Sequence, residues 1–419
     1  MKKITFLEKI KTELKPDTSI IKKVDLFVKK IDELIKKSKI KAKCTKGGSL
    51  AKGTFIKGDF DVDLFIKFDY SYKKEDLSLL LEKIIKSLKA EKVHGSRDYF
   101  ILDYEGINFE IVPVLDIKNY EMARNVTDAS PMHVDWLKKN MKKGQSDEIR
   151  LTKKFCKSID VYGAESYIMG FSGHLLDILI IHYGSFIELL KNAAKWKEKL
   201  IIDPDKFYKN KNEILMSINK SKTAGPMVIV DPVIPLRNAA ASLDTEKFKI
   251  FIKMARKFLK NPSDDFFKTK IVDENYIRTS LTKNKKILLI KLKPLTGKRD
   301  VIGSKLLKCH TFIAKKLIDS EFKIYKSEFF WDKKNEGMSW HIIDNKELST
   351  KKIIEGPPID MEDHCKIFKK KYKKIEQKNE KLISEIERKI RKIEDLNEFF
   401  KKSLYIISKT ESMELKILE

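Results

Sequence analysis

One stretch of the sequence, GGSLAKGTFIKGDFDVDLFIKF (Gly47 to Phe68), limits the possible folds more than any other. Its second half alternates apolar and polar residues, which is the pattern of a strand with one buried face. On such a strand the acidic residues share one face and the apolar residues share the other; these sets are Asp59, Asp61 and Asp63, and Phe60, Val62 and Leu64. Carboxylates this close repel one another unless a divalent cation lies among them. The pattern therefore predicts a strand whose aspartates are metal ligands.

A second apolar strand, NFEIVPV, carries one acidic residue, Glu110, between Phe109 and Ile111. Mg²⁺ prefers hard oxygen ligands and is usually held by one or two carboxylates together with substrate phosphates. Two such ions can activate an attacking hydroxyl and stabilise a pyrophosphate leaving group. A third carboxylate is expected from a strand next to the aspartates, and Glu110 is the best candidate.

The stretch Gly47-Gly48-Ser49 stands shortly before the aspartates. It precedes a predicted helix start, where free backbone N–H groups can bind a phosphate chain, and Lys52 lies one turn onward. Taken alone, the glycines indicate an ordinary turn, and the aspartates alone indicate a solvated loop. Their combination, with D-x-D-x-D on an apolar strand, is much more specific for a nucleotide and metal site.

The charge of the chain indicates a polyanionic partner. Lys and Arg number 88 against 61 Asp and Glu, a net charge of +27. Phosphates attract such a field and release counterions on binding, so nucleic acid is the functional interpretation. A lysine-biased proteome is the alternative, because lysine greatly outnumbers arginine.

Cysteine usage and hydropathy favour a reducing compartment without a membrane. The four cysteines stand far apart and form no CxxC pair; they are Cys44, Cys156, Cys309 and Cys365. The first residues lack an apolar run of the length that a signal peptide needs. The most apolar segment, Ile168 to Leu190, is interrupted by His174, Asp177 and His182, which predicts a core helix rather than a membrane span. We therefore expect a cytoplasmic protein.

Hydrophobic periodicity predicts an α+β fold in several parts. The predicted helical regions are residues 1–38, Leu79 to Leu88, 147–260 with an interruption at Asp231 to Pro235, Ser304 to Ser320, and a long charged tail helix from Glu362 to Leu404. The predicted strands are Val62 to Phe68, Tyr99 to Tyr104, Asn108 to Val114, Lys285 to Lys293 and Ser339 to Asp344. The expected domains are residues 1–145, 146–260 and 261–419.

Several blocks of sequence, taken in order, resemble those of a known enzyme family. They are GGSLAKGTFIKGDFDVDLF, FEIVPV, SPMHVDW, EIRLTKKF, VYGAESYIMGFSGHLLDILIIHYGSF, DPVIPLRNAAASL and FLKNPSDDFF, within residues 40–270. The chain resembles the polymerase-β-type nucleotidyltransferase superfamily and, more closely, the archaeal (class I) CCA-adding enzymes. These enzymes build the 3′-terminal CCA of tRNA without a nucleic-acid template. The C-terminal region resembles them only loosely, around EGPP (Glu355 to Pro358).

This resemblance implies a fold, a reaction and partners. The implied fold is a polymerase-β-like mixed sheet with helices (a catalytic domain), a helical central nucleotide-recognition domain, and a C-terminal α+β RNA-binding body with a helical tail. In the implied reaction the RNA 3′-hydroxyl attacks the α-phosphate of CTP or ATP and pyrophosphate leaves, with Mg²⁺ as cofactor. The implied partner is tRNA, bound at its acceptor arm and 3′ end. The oligomeric state stays open, with a homodimer as one arrangement.

Carried over position by position, the resemblance also implies roles for single residues. Asp61 and Asp63 become the metal-binding pair, with Glu110 as the third ligand. The implied nucleotide-binding residues are Gly48, Ser49 and Lys52 at the triphosphate, His133, Lys153 and Tyr162 at ATP and CTP, and Arg237 at the incoming base. A structural role is the alternative for His133 and Tyr162, and Lys153 stands in a helix with many exposed lysines.

Three positions depart from the family pattern. The family usually has aspartate at position 110 and arginine at position 52, where this chain has Glu110 and Lys52. A block that usually reads DRTP is Asp128-Ala129-Ser130-Pro131 here, so one expected arginine is missing. Glutamate can ligate Mg²⁺ with a longer reach, but lysine cannot form the bidentate fork of arginine. We expect an active enzyme in which these positions affect efficiency and base discrimination.

Two alternative functions are compatible with the sequence. A poly(A) polymerase or an oligoadenylate synthetase would use the same D-x-D chemistry on a different product. A non-catalytic RNA-binding protein could retain the fold, although the intact Asp61 and Asp63 speak against it.

Overall fold

The computed structural model describes residues 5–59 and 61–419, so the expected orientation of Phe60 lies outside the described residues. These residues form two compact units that divide after Lys270. In the first unit the helices are α1 (Thr5–Leu14), α2 (Thr18–Ser38), α3 (Gly48–Ala51), α4 (Leu77–Ile85), α5 (Ser130–Asn140), α6 (Gln145–Ser158), α7 (Gly173–Tyr183), α8 (Phe186–Ala193), α9 (Lys211–Ser217) and α10 (Thr245–Lys260). Its strands are β1 (Ala42–Lys46), β2 (Val62–Phe68), β3 (Glu91–Val93), β4 (Tyr99–Tyr104), β5 (Ile107–Leu115), β6 (Leu200–Ile202) and β7 (Met227–Ile229).

The main sheet of the first unit has the strand order β1-β2-β5-β4-β3. Only β2 and β5 run parallel in this sheet, and the other neighbouring strands are antiparallel. Helix α2 covers one face of the sheet with buried residues at helical spacing, Val24, Phe27 and Ile31. The apolar side chains of β2 are buried as the alternation predicts, and the strands predicted between residues 62 and 115 are confirmed.

The helical part of this unit surrounds an aromatic core. Phe155 of α6 packs edge-on against Phe186 of α8 and against Phe251 and Phe258 of α10. Burial of each such ring contributes on the order of 1.5–3 kcal/mol to the free energy of folding. The prediction of mostly helical structure in residues 147–260 is confirmed for these helices, but it missed the short parallel strands β6 and β7.

The apolar segment Ile168 to Leu190 forms parts of two helices instead of the expected single core helix. Helix α7 ends at Gly184, which has a φ of +93°, and the side chain of Ser185 caps α8 by accepting from the Glu188 N–H. Among the described residues, no single helix has the length and apolarity to cross a membrane. Helices α7 and α8 reach that threshold only as a pair bent by 93°.

The second unit, residues Ile271–Glu419, is an α+β structure, as predicted. Its helices are α11 (Glu274–Arg278), α12 (Arg299–Asp319), α13 (Glu362–Lys371), α14 (Leu396–Lys401) and α15 (Leu404–Ile407). Its strands are β8 (Lys285–Pro294), β9 (Ile324–Trp331), β10 (Gly337–Asp344), β11 (Lys351–Pro358), β12 (Ile375–Lys378), β13 (Lys381–Glu387) and β14 (Thr410–Leu418). They form a four-stranded sheet, β14-β8-β10-β9, and a three-stranded sheet, β11-β13-β12.

The prediction of one long helix from Glu362 to Leu404 is wrong. Only α13, α14 and α15 are helical there, and β12 and β13 form a hairpin between them. Asn379 and Glu380 at the hairpin turn have φ values of +48° and +60°, which a two-residue hairpin turn of this kind requires. In β13 the buried residues Leu382 and Ser384 alternate with more exposed ones. The dense charge of this segment is typical of a solvated helix as well as of an exposed strand. The short alternation of buried and exposed residues in β13 is therefore not distinctive in the sequence.

Candidate active site

Strands β2 and β5 bring the three predicted metal ligands to one place. In their parallel register Asp63 lies directly opposite Glu110. Asp61 immediately precedes β2, and its carboxylate accepts a hydrogen bond of 3.2 Å from the Asn108 amide on β5. Because side chains two residues apart share a face, the backbone places Asp61, Asp63 and Glu110 at the start of this strand pair.

The electrostatics of this cluster suit a divalent cation. Burial raises the pKa of Asp63 to about 6, and the neighbouring charge of Asp61 acts in the same direction. The positive charges of Lys52 and Lys153 lower the pKa of Asp63, but by less than burial and Asp61 raise it. A divalent cation would hold the Asp63 carboxylate in its ionised form, and carboxylates are the hard oxygen ligands that such a cation prefers. Asp61, Asp63 and Glu110 therefore fit the ligand set of such an ion.

The glycine turn before α3 lies directly against the cluster. The Gly47 N–H donates a 2.8 Å hydrogen bond to the carbonyl of Asp63. Gly48 has a φ of +51°, and a Cβ at this position would stand only 2.5 Å from the Asp63 Cγ. Only glycine allows this close approach. Ser49, in the same turn of helix, is partly exposed beside the carboxylates.

Two predicted nucleotide-binding lysines share one buried carboxylate that sequence reasoning missed. Lys52 Nζ lies 2.9 Å from Asp177 Oδ2, and Lys153 Nζ lies 3.7 Å from Asp177 Oδ1. Lys153 also donates a 3.0 Å hydrogen bond to the hydroxyl of Thr54. Burial favours a higher pKa for Asp177, but the charges of Lys52 and Lys153 outweigh it and hold the pKa below its ordinary value. Asp177 appeared in the sequence only as an interruption of an apolar helix.

Tyr162 approaches the same lysines from the loop between α6 and α7. A Cβ placed on Gly173 would lie 3.1 Å from the Tyr162 hydroxyl and 3.8 Å from Lys153 Nζ, so both groups meet at the start of α7. Lys157 stacks over the Tyr162 ring at 4.9 Å and pairs with the carboxylate of Asp59. Asp59 is therefore engaged with a lysine at an exposed position, although it belongs to the same run of aspartates.

His133 and Arg237 belong to a second cluster, centred on Asp231. His133 Nε2 lies 2.9 Å from one oxygen of Asp231, and the Arg237 guanidinium donates to the other at 2.7 Å. His174 Nε2 stands 3.4 Å from the same carboxylate, and burial lowers the pKa of His174 to about 4. Sequence reasoning missed both Asp231 and His174; the DPVIP stretch signalled only a break in helical structure.

This second cluster is less suited to a metal ion than the three carboxylates are. Its two histidines and Asp231 are close enough to hold one, with ligand atoms within 4.8 Å of one another. The Asp231 carboxylate, however, already accepts hydrogen bonds from Arg237 and from the backbone N–H groups of Val233 and Ile234. A cation would have to displace these donors, one of which is itself positively charged.

Helix α7 connects the two clusters. His174 points toward Asp231, and Asp177 points toward Lys52 and Lys153. Residues three apart lie on one side of a helix, so a single helix face carries a residue into each cluster. Within the first unit, α7 thus links the group of Lys52 and Lys153 around Asp177 to the group of His133 and Arg237 around Asp231.

Ala129, at the position where the family usually has arginine, lies in a buried part of the structure. Asp128, which precedes it, is fully buried and accepts hydrogen bonds from the Arg97 guanidinium and the Leu115 N–H. Ala129 is also fully buried at the start of α5. The position where the family has arginine therefore packs into the protein interior here.

The mixed sheet, the paired carboxylate strands and the glycine turn define a nucleotidyltransferase of the polymerase-β type. The family described as "Nucleotidyltransferase domain" matches residues 7–125. The fold also resembles solved structures of the Cid1 poly(U) polymerase, with a TM-score of 0.51 and 12% identity over 64% of this chain and 98% of the other. This superfamily uses a divalent metal ion, for which the three carboxylates are the fitting ligands.

Two further family matches and the sequence relatives indicate which kind of nucleotidyltransferase this chain is. "tRNA nucleotidyltransferase, second domain" matches residues 147–268, and "CCA-adding enzyme, C-terminal domain" matches residues 285–407. A CCA-adding enzyme of Nanoarchaeum equitans is 36% identical over 77% of this chain and 80% of its own length. One of Methanocaldococcus jannaschii is 32% identical over 93% of this chain and 89% of its own length.

The chain belongs to the family of CCA-adding enzymes. As a member it is a tRNA nucleotidyltransferase that acts on tRNA and nucleotide substrates, and its activity is CCA addition by nucleotidyl transfer. A poly(A) polymerase, an oligoadenylate synthetase and a non-catalytic RNA-binding protein are not favoured by these relationships.

Proposed function

We propose that the chain adds CCA to tRNA from CTP and ATP, with Mg²⁺ held by Asp61, Asp63 and Glu110. The observation that carries this proposal is the parallel register of β2 and β5, which sets Asp63 opposite Glu110 with Asp61 two residues earlier. When bound, Mg²⁺ lowers the pKa of the attacking hydroxyl and neutralises charge on the triphosphate.

The residues around the carboxylates would bind the triphosphate of the incoming nucleotide. The backbone of Gly47 and Gly48 lies beside Asp63, and we assign the Ser49 hydroxyl, one residue further on, to the phosphates as well. Lys52 and Lys153 supply two positive charges in a buried environment, where their attraction for phosphate is strong. As the RNA 3′-hydroxyl attacks the α-phosphate, these groups stabilise the negative charge on the departing pyrophosphate.

The Asp231 cluster would orient the nucleoside part of CTP or ATP. Asp231 fixes the side chains of His133 and Arg237 by hydrogen bonds, and a fixed donor loses less entropy on binding than a mobile one. We also assign Tyr162 to the nucleotide, because its hydroxyl meets Lys153 at the start of α7. We assign base contact to Arg237, which is the more exposed of these donors.

The remaining parts of the chain would serve tRNA binding. We assign residues 1–145 to catalysis, 146–260 to nucleotide recognition and 261–419 to binding of the tRNA acceptor arm and 3′ end. The net charge of +27 supports a strongly electrostatic interaction with RNA phosphates. We also propose that the enzyme is cytoplasmic and forms a homodimer. Light scattering of the purified protein tests the oligomeric state.

The function is tested with a tRNA transcript that ends at the discriminator base. Supplied with CTP alone, the enzyme should add two C residues and stop; with CTP and ATP together it should complete CCA. With ATP alone, extension should be weak. Sequencing of the 3′ ends gives the answer, and Asp63→Asn provides the inactive control. Long runs of A from ATP alone would instead identify a poly(A) polymerase.

A further inference from the structure

Asp177 lies between two lysines that reach it from different parts of the chain. Lys52 follows α3 in the sheet-containing region, whereas Lys153 belongs to α6 in the helical region. All three side chains are buried, with exposed fractions of 9% for Lys52, 4% for Lys153 and 1% for Asp177. None of the roles proposed above includes Asp177.

One carboxylate is thus shared by two buried ammonium groups. Burial lowers the pKa of Lys153, Asp177 is the strongest influence that raises it, and the nearby charge of Lys52 lowers it further. Without a counter-ion, a fully buried lysine can lose about 3–5 units of pKa and become neutral. The positive charge of Lys52 adds to this effect of burial on Lys153, and the negative charge of Asp177 opposes it.

The groups around the lysine pair do not replace Asp177. The neighbouring titratable groups are Lys157 on α6, His174 on α7, Tyr162 in the preceding loop and Asp63 on β2. Lys157 adds positive charge, and the Asp63 carboxylate belongs to the proposed metal site. Thr54 accepts hydrogen bonds from Lys153 but carries no charge. The negative charge that balances the lysines before a nucleotide arrives is therefore that of Asp177.

We propose that Asp177 is a positioning residue for the triphosphate: it holds Lys52 and Lys153 side by side and balances their charge until the triphosphate becomes their partner. The inference rests on the proposed role of these lysines in nucleotide binding. Asp177 Oδ1 faces Lys153 Nζ at 3.7 Å but accepts no hydrogen bond among the described residues, so this oxygen holds Lys153 by charge alone. The lysines can then turn toward phosphate without breaking a saturated network.

The direct test measures the dissociation constant of CTP with Asp177→Asn between pH 7.5 and 9, where the triphosphate is fully ionised. If one lysine is neutral in the free variant, CTP binding must take up a proton. The dissociation constant should then rise about tenfold per pH unit, whereas the wild-type enzyme should show a much flatter profile. The turnover number at saturating CTP should change little, because the lysines regain their charge in the complex.

Three variants control for a purely structural effect. Asp177→Glu keeps the charge and should restore the flat profile. Asp59→Asn removes an exposed carboxylate that also pairs with a lysine, and it should behave like the wild type. Lys153→Arg, added to Asp177→Asn, should reduce the pH dependence, because the guanidinium does not deprotonate.

A wild-type profile and affinity in Asp177→Asn would overturn the inference, even if the wild-type enzyme completes CCA on tRNA. If Asp177→Asn does not fold, calorimetry of CTP binding to the wild-type enzyme in two buffers of different ionisation enthalpy decides the question. Uptake of close to one proton at pH 8 would show that Asp177 does not keep the lysines charged; uptake near zero supports the inference. Failure of CCA addition by the wild type would be a failure of the proposed function instead.

Discussion

The close approach of Gly48 to Asp63 gives a sharp prediction for Gly48→Ala. The added Cβ would stand 2.5 Å from the Asp63 Cγ, and ordinary van der Waals contact begins at 3.4 Å, so the carboxylate must move by at least 3.4 − 2.5 = 0.9 Å. A displacement of about 1 Å at reacting groups can cost on the order of 100-fold in rate. We therefore expect a loss of about that size in single-turnover CMP addition.

Gly53→Ala is the matched control for this experiment. Gly53 has a φ of +66°, similar to the +51° of Gly48, but a Cβ there would meet no atom within 4 Å. Backbone strain should destabilise both variants by a similar amount, about 1 kcal/mol or slightly more for a non-glycine residue in the left-handed region. Their thermal midpoints should fall together, while only Gly48→Ala loses activity. Equal rates of CMP addition in the two variants would refute the idea that Gly48 is needed to admit the Asp63 carboxylate.

Three further predictions concern the carboxylates, the RNA surface and the second unit. Asp61→Asn and Asp63→Asn should lower turnover by orders of magnitude with tRNA affinity retained, whereas Asp59→Asn should have a small effect because Asp59 pairs with Lys157; equal losses in all three would contradict the ligand assignment. The tRNA association constant should fall steeply with salt, since lysine contacts to phosphates release counterions, and a flat salt profile would favour a proteome bias in lysine. His310 and His341 form a partly buried ring of hydrogen bonds with Ser327 and Ser339, and burial lowers the pKa of His310 to about 4 and that of His341 to about 3. Because the unfolded chain then binds more protons, stability should fall by about 1.4 kcal/mol per pH unit for each histidine as the pH drops from 6.5 toward 4; a pH-independent unfolding midpoint in that range would contradict this.

The sequence was sufficient to predict the carboxylate strands because their signal is local. The alternation around Asp61 and Asp63 is a property of one strand, and a third carboxylate from a neighbouring strand could be expected at Glu110, whereas the parallel direction of that pairing comes from the structure. The glycine turn likewise carries its own signal. These elements could be placed without knowledge of the rest of the chain.

The counter-ions of the site could not be predicted in this way. Asp177 is 125 residues from Lys52, and Asp231 is 98 residues from His133, so only tertiary packing brings them together. The β12–β13 hairpin was missed for a different reason. Its charged residues suit a solvated helix as well as an exposed strand, and the competing pattern of Leu382 and Ser384 is only a few residues long.

Substitution of Glu110 tests most directly whether Asp61, Asp63 and Glu110 form the catalytic metal site. The rate of CMP transfer to a tRNA lacking CCA should be measured for Glu110→Gln and Glu110→Asp at saturating CTP and Mg²⁺. Glu110→Gln keeps the shape and removes the third negative charge, so the rate should drop strongly with little change in CTP affinity. Glu110→Asp should retain substantial activity, because the family usually has aspartate at this position. A wild-type rate of CMP transfer in Glu110→Gln would contradict this metal site, since Glu110 could then not be the third ligand.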